Sequence, residues 1–244
     1  MIKILGVSKK FKDKLALDNV SFDVNDGEIV GLLGENGAGK STLLRIVSTM
    51  LIPSGGSVEV NGFDILKNPD KVRKHIGILF GSEVGLYERL TARENLDYFA
   101  SLNGMNDEAR KKRVDYLIDK FSFGDYSEKR VLNFSKGMKQ KVAIARSVIH
   151  DPDSMLFDEP DSGLDFKASK IIFDFMEECK QEGKSIIFSS HSMENIKNYS
   201  DRVVVIHKGK IAKIFRMKQY REKYTEREIN DILFNLVCDG DENV

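Results

Sequence analysis

The chain has 244 residues, enough for one large α/β domain with a sizeable core or for two small ones. Lysine plus arginine and aspartate plus glutamate each number 38, so no net basic field draws it to nucleic acid or to an anionic membrane. Its two cysteines, Cys179 and Cys238, suggest neither a disulfide framework nor a zinc site, and no apolar run approaches the roughly 20 residues of a membrane helix.

The first residues, 1–6, lack the apolar core of a signal peptide, and the reducing cytosol is the expected compartment. Residues 2–7 and 18–24 alternate like strands, with a turn at Asp26-Gly27. Between them, residues 9–14 are polar except for Phe11, which either plugs a hairpin or stacks on a nucleobase; spacing leaves both readings open. Residues 28–33 read as a buried strand. The loop Gly34-Glu35-Asn36-Gly37-Ala38-Gly39-Lys40-Ser41-Thr42 follows, and then a helix over 41–51 stopped by Pro53.

Residues 57–62 and 76–80 read as further strands around a short helix at 72–75. From Thr91 to about His150 only helices are expected. Thr91 and Glu94 form a capping box, with Leu96, Phe99, Ala100 and Asn103 on one face behind it. Ala109, Val114, Leu117, Ile118 and Phe121 make the next stripe. Strands return at 155–157, 185–189 and 202–206, separated by helices at 166–182 and 192–199, which gives a mostly parallel sheet. A turn at 207–210 leads to an edge strand, 211–215. A second capping box, Thr225 with Glu228, opens a helix whose stripe of Ile229, Ile232, Leu233 and Leu236 is expected to pack on its own domain.

Strand, glycine loop and helix form the context that gives G-x-x-x-x-G-K-[ST] its meaning. The glycines let backbone N–H groups converge on phosphate, and the helix start adds partial positive charge behind the same anion. Lys40 would reach the β- and γ-phosphates, and the Ser41 hydroxyl would ligate Mg²⁺. Thr42 is expected to pack at the helix start. Downstream, the strand through Met155-Leu156-Phe157 ends in Asp158-Glu159, which a parallel sheet presents at the same edge. Asp158 suits the Mg²⁺ shell and Glu159 the base that deprotonates the attacking water. His191 follows the next strand and could contact the γ-phosphate. Ser135 is a natural helix N-cap before Gly137, and so either a plain helix start or a phosphate donor.

Together, the glycine loop, Ser135-Lys136-Gly137, Leu156-Phe157-Asp158-Glu159-Pro160, Ser162-Gly163-Leu164-Asp165 and Ser190-His191 resemble the ATP-binding subunit of an ABC transporter, from about Ile2 to Ile214. The resemblance implies a P-loop NTPase core with an N-terminal antiparallel β subdomain and an inserted helical subdomain. On that pattern residues 1–215 form the nucleotide-binding domain, its helical part about 85–150, and 216–244 a helical tail. It implies ATP and Mg²⁺ as ligands, and two nucleotide-binding subunits, identical or different, sandwiching two ATP molecules head to tail. It also implies separate transmembrane permease subunits and a peripheral place on the cytoplasmic side of the membrane. Phe11 falls where the family stacks adenine, and Ser135 and Gly137 face the γ-phosphate held by the second subunit. Asp165 lies in the loop that communicates across the dimer, Glu159 matches the catalytic carboxylate, and His191 matches the switch histidine.

Three positions depart from the pattern. Lys136 and Met138 replace residues of the usual Ser-Gly-Gly-Gln. Gly81 stands where the family has a glutamine that contacts Mg²⁺ and water, and Ser82, Glu83 or water is left to take its place. Residues 76–96 resemble the ATPase subunits of bacterial sodium-extruding exporters. The alternatives are a soluble ABC ATPase outside transport and a catalytically weak partner in a heterodimeric transporter.

Overall fold

A computed structural model describes residues 1–80 and 85–240. Strands β1 (Ile2–Phe11) and β2 (Lys14–Val24) pair as an antiparallel hairpin that extends to Phe11 opposite Lys14. The polar stretch 9–14 is therefore mostly strand, and Lys12, at φ 49°, turns the chain at its tip. Strands β4 (Gly55–Val60) and β5 (Phe63–Asp64) complete a four-stranded sheet of order β2-β1-β4-β5.

The second sheet has six strands in the order β10-β9-β3-β8-β7-β6. They are β3 (Ile29–Leu33), β6 (Ile76–Phe80), β7 (Ser154–Asp158), β8 (Ser185–Ser189), β9 (Arg202–His207) and β10 (Lys210–Arg216). All neighbours run parallel except β10, which lies antiparallel on the β9 edge. Its central strands read as continuous apolar runs because both faces are covered. Val30, Leu156, Ile187 and Val204 point into a core shared with the four-stranded sheet and helix α1 (Lys40–Val47). Their neighbours Ile29, Phe157, Phe188 and Val203 point into a second core on the opposite face.

That second core is roofed by α6 (Phe166–Gln181) and α7 (Met193–Tyr199). It continues without a break into α3 (Ala92–Leu102), α4 (Asp107–Lys120) and α5 (Lys136–Ser147), which contribute Leu96, Leu117 and Ile144. Helix α2 (Pro69–His75) flanks β6. Two helices close the described chain, α8 (Met217–Lys223), which periodicity had not signalled, and α9 (Glu226–Cys238).

Both capping boxes form, and the four apolar residues of α9 are buried within the chain's own core. Two expectations need correction. Ala109 is exposed in the first turn of α4, where its amide donates to Asn106, and burial falls on Val114, Leu117, Ile118 and the following Phe121. Helix α1 stops at Val47 rather than running to Leu51. Thr49 adopts φ 65° there, and the Thr49 and Met50 amides donate back to the Ile46 and Arg45 carbonyls, the paired bonds of a Schellman end.

Candidate functional site

The glycine loop runs from the carboxyl end of β3 into α1. Gly34 passes so close to the β9 end that a Cβ there would lie 2.2 Å from the Ile206 carbonyl oxygen. Helix α1 has no side-chain cap and no acidic residue in its first turn, whereas Ser135, Asp165 and Ser192 cap α5, α6 and α7. Its leading N–H groups and positive dipole end are thus left for an anion.

An open cleft of about 250 Å³ lies over that helix start, walled by Asn36, Gly37, Gly39, Lys40, Ser41 and Thr42. Phe11, Lys14 and Ala16 of the hairpin form its far wall, and Glu159 faces them. Phe11 is 45% exposed and does not plug the hairpin; the Lys9 ammonium sits over its ring at 5.1 Å. Thr42, in the first turn of α1, also lines the cleft beside Ser41. Ala38 lies behind the loop: its side chain is buried and its N–H donates to the Glu35 carbonyl at 3.2 Å.

Lys40 is buried at 5% exposure, and its ammonium donates to the Gly34 and Glu35 carbonyls at 2.6 and 3.0 Å. Burial pushes its pKa below the ordinary lysine value, while the carboxylates of Glu159 and Asp158 pull it back up. Both carboxylates therefore act on the loop lysine, as their place at the sheet edge predicts. Asp158 accepts a hydrogen bond from the Ser189 hydroxyl at 2.6 Å, set by the β7–β8 register that pairs these two residues.

Glu159 holds a left-handed backbone at φ 52°, a conformation that costs about 1–3 kcal/mol for a residue with a side chain. Its N–H secures it by donating to the carbonyl and hydroxyl of Ser189, both at 3.1 Å. Its carboxylate meets His191 Nε2 at 2.6 Å, with both side chains partly exposed.

Ser135 and Gly137 are not part of this cleft. Ser135 is exposed, its hydroxyl accepting the Met138 N–H at 3.2 Å, and Gly137 lies against the loop at Gly163 and Leu164. Asp165 caps α6 through the Ala168 N–H at 2.8 Å. Gly81, Ser82 and Glu83 lie outside the described residues. Sequence reading did not single out Ser189, Lys14 or Ala16. A serine ending an apolar strand was the one available signal for Ser189, and its partner depends on sheet register.

This fold and loop are those of an ATP-binding cassette, and the chain belongs to the ABC transporter family, whose model matches residues 17–162. Its relatives include the ABC transporter ATP-binding protein NatA of Bacillus subtilis, 45% identical over 98% of this chain and 99% of that protein. The daunorubicin resistance ATP-binding protein DrrA3 of Streptomyces coeruleorubidus is 34% identical over 86% of this chain and 66% of its own length. Among solved structures, an ATP-binding subunit of an ABC transporter superposes with TM-score 0.87 at 29% identity, covering 96% of this chain and 99% of that one. A dimeric ATP-binding cassette in a post-hydrolysis state with ADP and Pi gives 0.81 at 26% identity, covering 89% and 99%. The chain is an ATP-binding subunit of a transporter and an ATP hydrolase of the ABC type. No helix among the described residues is long and apolar enough to cross a membrane.

Proposed function

We propose that two such chains close head to tail around two ATP molecules and drive export through a separate membrane permease, from the cytoplasmic side. The carrying observation is a division within one chain. Phe11, the glycine loop, Lys40, Ser41 and Glu159 line one cleft, with His191 paired to Glu159, while Ser135 stands exposed and Gly137 half-buried outside it. A second copy's Ser135 and Gly137 would complete the γ-phosphate site, with its Asp165 segment beside them. Phe11 stacks the adenine, and Lys40 neutralises the β- and γ-phosphates. Glu159 takes the proton of the attacking water, and His191 holds that carboxylate and senses the γ-phosphate.

Among the described residues no cluster of three His, Cys, Asp or Glu side chains could hold a metal by itself. The Ser41 hydroxyl and the Asp158 carboxylate are hard oxygen donors, the set that suits Mg²⁺ arriving with phosphates. Bound there, Mg²⁺ would neutralise charge developing on the phosphate oxygens. The likeness to the NatA and daunorubicin-resistance proteins supports export, and sodium is the first cargo to test.

The decisive variant is Glu159→Gln. It should bind ATP as the parent does and trap a dimer on size exclusion, with turnover lower by about 10²-fold or more. Parent-rate hydrolysis by this variant would remove Glu159 from the role of base.

A further inference from the structure

The segment that follows the base, Pro160 to Asp165, returns the chain from the sheet edge to α6. Backbone bonds from Ser162 to Glu159 and from Leu164 to Asp161 curl it into consecutive turns. The side chain of Asp161 reaches the β8–α7 connection. Its carboxylate accepts the Asn195 side-chain amide at 2.7 Å and the Ser190 hydroxyl at 3.0 and 3.3 Å.

Ser190 is fully buried, and its hydroxyl oxygen also accepts the Ser192 N–H at 3.0 Å. Its single proton is thus committed to Asp161, and one of its two lone pairs to the residue just past the histidine. Asn195 holds the same connection from the first turn of α7, its own N–H donating to Ser192 Oγ at 3.2 Å. One carboxylate therefore grips the residue just before His191 and, four residues after it, the first turn of α7, and His191 meets Glu159 two residues before that carboxylate.

We propose that Asp161 is a positioning residue. By binding Ser190 and Asn195 it makes the turn carrying His191 and the segment after Glu159 one rigid unit, which fixes the imidazole against the carboxylate. The inference rests on the reading of Glu159 and His191 given above. A small displacement of a catalytic pair is enough to lose much of its rate, whereas the cleft walls that hold ATP are built from other elements.

The test uses the purified full chain and imidazole NMR. The chain has four histidines, so the His191 ring signals can be assigned from their loss in His191→Gln. In Asp161→Ala the His191 signals should shift or broaden while those of His75, His150 and His207 stay in place. With the membrane partner present, kcat should fall about ten- to a hundredfold at unchanged KM for ATP. Asp161→Asn, which keeps an acceptor oxygen, should restore part of both. Asn195→Ala should move the same signals less, and should add nothing to Asp161→Ala in a double-mutant cycle.

Parent-like His191 signals and kcat in Asp161→Ala, with Glu159→Gln inactive, would overturn the inference and leave the assignment of the base standing. Should Asp161→Ala not fold, Asn195→Ala decides the question through the same ring signals. If Glu159→Gln turns over at the parent rate, it is the base assignment that fails, and the ring signals still decide whether Asp161 holds the histidine.

Discussion

Gly39 closes the phosphate loop at φ 116°, and a Cβ there would stand 2.7 Å from Leu17 Cδ2 and 2.8 Å from the Ala16 carbonyl oxygen. The leucine could turn aside, but the carbonyl belongs to the hairpin strand that walls the cleft. Gly39→Ala must therefore distort the loop or push the hairpin back. Gly37, at φ 81°, has nothing within 4 Å of its missing Cβ, so alanine there meets only backbone strain. The left-handed penalty of about 1–2 kcal/mol corresponds to roughly tenfold in affinity when binding needs the parent loop. Gly39→Ala should lose more than tenfold in ATP affinity and Gly37→Ala about that much, read by titration with a fluorescent ATP analogue. Equal, parent-like affinities would mean that the loop is not shaped by these contacts.

At the scale of elements, α3 shows how local chemistry sets an end. Thr91 Oγ1 accepts the Glu94 N–H at 3.1 Å, and Glu94 Oε2 accepts the Thr91 N–H at 2.8 Å. Next to it the fully buried Asn95 joins Tyr87 N–H, Tyr87 C=O and Thr91 C=O at 2.8, 3.0 and 2.8 Å. Thr91→Ala should cost about 1 kcal/mol, the usual worth of an N-cap. Asn95→Ala, which strips partners from buried backbone groups, should cost about 1–3 kcal/mol in the same urea titration. A smaller loss for Asn95 than for Thr91 would contradict the account.

Such caps were legible in the sequence because donor, acceptor and apolar stripe lie within a few residues of each other. The inner strands were legible for a related reason, since burial on both faces leaves an unbroken apolar run. The end of α1 was not, because Thr49 takes a left-handed turn with no glycine to announce it. Nor was the length of the hairpin, where Lys9, Lys10 and Phe11 pair with Leu17, Leu15 and Lys14 without an alternating apolar pattern to mark them as strand. The loop, Asp158, Glu159 and His191 could be picked out by motif. The bonds of Ser189 and Asp161 could not, since they depend on which strand ends lie side by side, and sheet order is a long-range property.

For the whole molecule, the question is whether α8 and α9 are an appendage or part of the core. Ile229, Ile232, Leu233 and Leu236 are each 1% exposed and continue the core on the α6–α7 face of the sheet. Lys197 of α7, itself 7% exposed, pairs with Glu226 at 2.8 Å, and Arg221 donates to the Lys197 carbonyl at 2.5 Å. His207 Nδ1 lies 2.9 Å from the Val237 carbonyl oxygen, so the tail also touches the end of β9. At about 1.5–3 kcal/mol for each buried aliphatic side chain, those four residues alone carry an upper bound of several kcal/mol. A domain's net stability is only about 5–15 kcal/mol, so losing them takes a large share of it. A chain truncated after Arg216 should therefore be insoluble or melt far below the parent by circular dichroism. Glu226→Ala, which takes its carboxylate from the buried Lys197 ammonium but leaves the apolar stripe in place, should lower the melting temperature by much less than the truncation. A truncated chain that stayed soluble, melted with the parent and kept its ATPase rate would make the α9 stripe a surface for another protein instead of a wall of this one.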